Sequence, residues 1–137
     1  MKKLALLATL ALAACAAVPK GDPSITRVQK FEDIGNPDAI VCDTLRDAKN
    51  AIALAGNNQS TEFVQFVRAA RAANLCRFLN NSETIEVLGY APVDTLNGTL
   101  FVIEFVQQGQ MLYSSPNYFD KAGPKTLIWE RASQAQP

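Results

Sequence analysis

Three kinds of hydrophobic spacing follow one another along the chain. From Leu4 to Ala14 every residue is Leu, Ala or Thr. Between Leu45 and Ala73 apolar residues recur at helical intervals. Leu45, Ala48, Ile52 and Ala55 share one helical face, and Phe63, Phe66, Val67 and Ala70 share another. From Thr84 onward the apolar residues come in short β-like runs separated by turn residues.

These patterns predict the elements. Ala39–Cys42 reads as a short strand. A helix follows, with Thr44 and Asp47 at capping-box spacing and Gly56 suited to a left-handed stop. Ser60 or Thr61 caps a second helix, Glu62 favours its N-terminal dipole, and the helix ends near Asn74. Thr84–Leu88 is β-like, and Pro92 either ends that strand or sits on an edge. Asn97-Gly98 signals a type I′ hairpin. In Thr99–Val106, Phe101, Ile103 and Phe105 share one face; Leu100, Val102 and Val106 share the other, with Glu104 the exception. A strand apolar on both faces is central or barrel-forming. Gly109 turns the chain, Met111-Leu112-Tyr113 pairs back, Ser114–Asn117 makes a loop, and Thr126–Trp129 forms a last short strand. The expected class is α+β: a small SH3-like barrel or curled antiparallel sheet with a helical pair near its start.

Residues 16–38 read as a tether, because Pro19, Gly21, Pro23, Gly35 and Pro37 punctuate them. Within it, Ile25, Val28, Phe31 and Ile34 have the spacing of a short amphipathic turn. Ahead of it, Lys2 and Lys3 precede the apolar run, and Pro19-Lys20-Gly21-Asp22 stops it. The run is shorter than the roughly 18–20 residues a spanning helix needs and has the size of a signal-peptide core. The tetrad Leu12-Ala13-Ala14-Cys15 resembles the lipobox of bacterial lipoprotein signal peptides. The resemblance implies cleavage before Cys15, lipid on its thiol and membrane attachment through that lipid. With Ala16 next, it also implies sorting to the outer membrane, facing the periplasm. The other processing is ordinary secretory cleavage beside small residues such as Ala14 and Ala16, giving a soluble periplasmic or secreted product. The chain thus divides into a signal peptide (1–14), an anchor and flexible tether (15–38), a globular domain (39–130) and a tail (131–137).

With Cys15 assigned to lipid, Cys42 and Cys76 remain as an even pair in an oxidising compartment. They are expected to form a disulfide, the alternative being two buried thiols. Without Lys2 and Lys3 the chain carries eleven basic and thirteen acidic side chains, a net charge of −2. That argues against a general nucleic-acid binder. There is no histidine, which removes His-based triads, His zinc sites and the usual general base near neutral pH.

The remaining clusters have competing explanations. Arg68 and Arg71 are helical neighbours, with Arg77 just beyond, and together suit an anionic group; they equally suit a solvated face that compensates the helix dipole. Tyr90, Tyr113, Tyr118, Phe119 and Trp129 suit a ligand groove or core packing. Asp43 and Asp47, near Glu32, Asp33 and Asp38, lack EF-hand spacing, and capping explains two of them. Glu86 and Glu104 lie on adjacent strands, either as a hydrolytic carboxylate pair or as exposed strand positions. No cofactor or metal is expected.

The run Ala39-Ile40-Val41-Cys42-Asp43-Thr44, a helical stretch, Cys76, and strands ending in Gly109-Gln110-Met111-Leu112-Tyr113 resemble a group of small exported bacterial proteins. The likeness spans roughly residues 39–119. It implies an SH3-like barrel and carries no catalytic residue. The expected function is that of a non-enzymatic envelope lipoprotein, an interaction module for an envelope protein. The alternative is an inhibitor of a wall-degrading hydrolase, acting through the loop Ser114–Tyr118.

Overall fold

The computed structural model describes residues 21–79 and 83–123. Strand β5 (Gly98–Gln107) lies at the centre of their organisation. Phe101, Ile103 and Phe105 enter one core with Val28, Phe31, Ile85, Val87, Leu112 and Phe119. Val102 enters a second core with Leu45, Ala48, Ile52, Ala70 and Tyr113. The strand is apolar on both faces because both faces are covered. Each large side chain withdrawn from water there contributes about 1.5–3 kcal/mol.

The other elements are β1 (Thr26–Ile34), β2 (Ile40–Cys42), α1 (Leu45–Gly56), α2 (Ser60–Ala72), β3 (Cys76–Phe78), β4 (Thr84–Thr95) and β6 (Gln110–Ser114). A short 3-10 turn, Pro116–Tyr118, follows. The six strands form one antiparallel sheet in the order β1-β4-β5-β6-β2-β3. The class is α+β, as expected. Among the described residues the sheet is open, with β1 and β3 at its edges, and does not close into a barrel. It curls enough for Gly35, just after β1, to bridge Phe119. Among the described residues no helix is long and apolar enough to cross a membrane.

Part of the expected tether belongs to the domain. Residues 26–34 are not a helical turn but strand β1, paired to β4. The misleading spacing has a structural cause: the register slips between Arg27 and Phe31, so three positions of β1 (28–30) lie opposite one of β4, Leu88. This irregularity puts Val28 and Phe31, three apart, on one face. Ile25 is buried in the opposite core, and Ile34 is exposed. The folded domain therefore begins well before residue 39.

Local signals placed both helices correctly. Thr44 caps α1, its Oγ1 accepting from the Asp47 amide at 3.2 Å and donating to Asp47 Oδ2 at 2.9 Å. Details of the stops differ. Gly56 is the last residue of α1, and Asn58 takes the left-handed conformation at φ 59°. Gln59 precedes α2 without a side-chain cap. Pro92 does not end β4. It lies past Tyr90, the partner of Thr26 at the start of β1, where among the described residues no β1 position pairs with it, so its missing N–H costs no ladder bond there.

The hairpin turns also exchange roles. The β4–β5 loop is Leu96-Asn97, closed by Thr95 and Gly98, and Asn97 does not have positive φ. The two consecutive positive φ values of a type I′ turn occur at Gln108 (50°) and Gly109 (75°), between β5 and β6. The predicted strand Thr126–Trp129 and the tail lie outside the described residues.

Candidate binding site at the clamped sheet edge

Cys42 and Cys76 face each other across β2 and β3 and are joined by a disulfide. Cys42 immediately precedes the helical pair and Cys76 follows it, so the bond staples both ends of that insertion to one rung of the sheet. Cys15 lies outside the described residues.

The staple brings the end of α2 against β3. The Arg71 guanidinium lies over the Phe78 ring at 4.4 Å from its centroid, a cation–π contact. A polar pocket of about 320 Å³ opens there, lined by Asp43, Arg71, Asn74, Arg77, Phe78 and Gln110, among others. Arg71 and Arg77 thus meet in one site, while Arg68 is exposed and does not line it. Asp43 accepts from Gln110 Nε2 at 3.3 Å.

Of the two readings for the tyrosines, groove or core packing, Tyr90 and Tyr113 follow the second and separate. Tyr90 is buried edge-to-face on Phe101, with centroids 5.7 Å apart and planes at 80°. Tyr113 is buried on the opposite face of the sheet, under the helices. Tyr118 alone lines an apolar groove, about 330 Å³, with Ile52, Phe63, Leu100 and Asn117 among its walls. Burial, with the Asp38 charge second, raises the Tyr118 pKa. Packing decides this outcome: alternation sends Tyr90 and Tyr113 to different cores. Trp129 lies outside the described residues.

Ser114–Tyr118 is folded onto the sheet. Ser114 is buried and donates to the Ile40 carbonyl at 2.6 Å, and Ser115 caps the 3-10 turn. Glu86 pairs with Val106 and is exposed, whereas Glu104 pairs with Gly89 and is fully buried. Glu104 binds Arg27, accepts from the Tyr113 hydroxyl at 2.7 Å, and accepts from the Asp22 amide at 2.8 Å. Its carboxylate is thus engaged on every side as a structural group. Its isolation within an apolar strand was the sequence signal for this role.

Asp33 is a second buried carboxylate with a holding role. It accepts from the amides of Ile34 and Lys121 at 2.8 Å and of Ala122 at 2.7 Å. This fastens the segment after the 3-10 turn to β1. Among the described residues no group of three His, Cys, Asp or Glu is placed to hold a metal ion.

The chain matches no family model, no curated protein and no solved structure.

Proposed function

We propose that this protein is a non-enzymatic envelope lipoprotein, anchored through lipid on Cys15, whose domain serves as an interaction module for another envelope protein. The observation that carries this reading is the Cys42–Cys76 disulfide. It suits an oxidising compartment and leaves Cys15, in its lipobox-like tetrad, as the remaining cysteine. The site it clamps displays guanidinium groups and contains no histidine, which fits recognition better than acid–base chemistry. The outer membrane, with the domain facing the periplasm, is the location we assign.

Two measurements test this. Mass analysis of the membrane-extracted N-terminus should find Cys15 carrying diacylglycerol and an acylated amine. An unmodified soluble chain starting after Ala14 or Ala17 would overturn the anchor. Photo-crosslinking in intact cells, with the probe at Arg77, should trap one defined envelope protein, and Arg71→Ala should weaken that capture. Failure to trap a protein from any exposed position of the domain would overturn the interaction role.

A further inference from the structure

We infer that the edge of β3, open among the described residues, receives an extended acidic peptide segment, which joins the sheet as an added strand with a carboxylate held by Arg71 and Arg77. This deepens the interaction-module reading and rests on it. Among the described residues β3 is a terminal strand of the sheet. The Asp43 amide donates to the Leu75 carbonyl at 3.0 Å, and the Leu79 amide donates to the Ala39 carbonyl at 3.0 Å. Antiparallel alternation therefore turns the backbone of Leu75, Arg77 and Leu79 toward β2. It turns the N–H and C=O groups of Cys76 and Phe78 outward. Such a row is a template for another strand.

The side chains specify the partner's charge. Cys76 and Phe78 point to the helix face of the sheet, and Arg77, between them, to the other. Yet Arg71, Phe78 and Arg77 line one pocket, which must therefore wrap the edge. The ion pairs of the described residues are Arg27–Glu104 and Arg46–Asp47, so neither Arg71 nor Arg77 has a carboxylate partner there. Arg71 is held in place by Phe78. Asp43, the acidic group on the wall, is engaged by Gln110. A phospholipid headgroup would satisfy the guanidinium groups but leave the outward backbone of β3 unmatched. A peptide with an acidic side chain satisfies both.

The test uses the oxidised mature chain, residues 15–137, and fluorescein-labelled hexapeptides of alternating valine and glutamate. Matched probes replace glutamate with glutamine or lysine, or N-methylate alternate amides. Fluorescence anisotropy should show binding of the glutamate peptide that weakens with added salt. The glutamine and N-methylated peptides should bind at least about tenfold more weakly, as expected when charge-assisted or ladder hydrogen bonds are lost. Arg77→Gln, at an exposed position, should give a similar loss while thermal melting stays unchanged. Arg71→Ala should add to it. Absence of glutamate-peptide binding would overturn the inference. So would indifference to the glutamine exchange, to N-methylation or to Arg77→Gln. Binding of phosphatidylglycerol vesicles with equal dependence on Arg77, in place of peptide binding, would also overturn it. In each case partner capture from another face of the domain would leave the interaction role standing.

Discussion

Tyr113 donates its hydroxyl proton to Glu104 at 2.7 Å across the β5–β6 ladder, beneath the helices. Glu104 is fully buried and also meets Arg27, whose side chain is 48% exposed. The two ends of the ion pair therefore respond differently to mutation. Arg27→Ala leaves a buried carboxylate without its counter-charge and is expected to cost about 3 kcal/mol. Glu104→Gln leaves Arg27 within reach of water and should cost less, about 1–2 kcal/mol. Urea midpoints of the two variants should preserve that order.

The same hydrogen bond gives the domain an alkaline limit. Burial, reinforced by the hydrogen bond to Glu104, pushes the Tyr113 pKa well above the ordinary tyrosine value of 10.0. The fold thus favours the neutral phenol. Its contribution is complete below about pH 10, where unfolded tyrosine titrates, and is lost as pH rises toward the folded value. Tyr118 shifts in the same direction. Urea stability is expected to fall between about pH 10 and 11. Tyr113→Phe should flatten that fall while lowering stability at neutral pH by about 1 kcal/mol.

Reduction of the Cys42–Cys76 bond should remove about 3–4 kcal/mol, the usual value for loops of intermediate length. Replacing both cysteines with alanine should reproduce the loss and make the melting temperature insensitive to reductant. Thermal unfolding with and without dithiothreitol checks both outcomes.

Asp33 holds the segment after the 3-10 turn by two of its amides, from Lys121 and Ala122. Asp33→Ala should raise hydrogen exchange at those amides while leaving β5 protected. The expected global cost is about 1–3 kcal/mol, because buried donors lose their acceptor.

Gly109 has φ 75° in the β5–β6 turn. Gly109→Ala forces a side chain into the left-handed region and is expected to cost about 1–2 kcal/mol. Asn97→Ala should spare backbone conformation but remove the hydrogen bond its side chain donates to the Gly56 carbonyl at 2.7 Å. Comparing melting temperatures of the two variants tests the reassignment of the turns.

Much of the fold was legible because its signals are short-range. The capping pair Thr44 and Asp47 acts within one helical turn, and helical periodicity located both helices to within a residue or two. β5 betrayed its central place by being apolar on both faces. β1 was missed because a register slip replaced the two-residue period with a spacing of three. Of the candidate site, Arg71 and Arg77 were legible as cations near a helix end. The aromatic groove was not formed, since the tyrosines' destinations depend on which core each strand face meets.

The order of residues alone pointed to the α+β class, the helical pair and, over two buried thiols, the pairing of Cys42 with Cys76. These follow from periodicity, caps and cysteine count. Sheet order, the burial of Glu104 and the meeting of Arg71 with Arg77 beside β3 arise only when distant segments pack. Arg27 and Glu104 are 77 positions apart, and Asp33 and Ala122 are 89 apart. Such contacts depend on competing strand pairings across the whole chain, which no local pattern encodes.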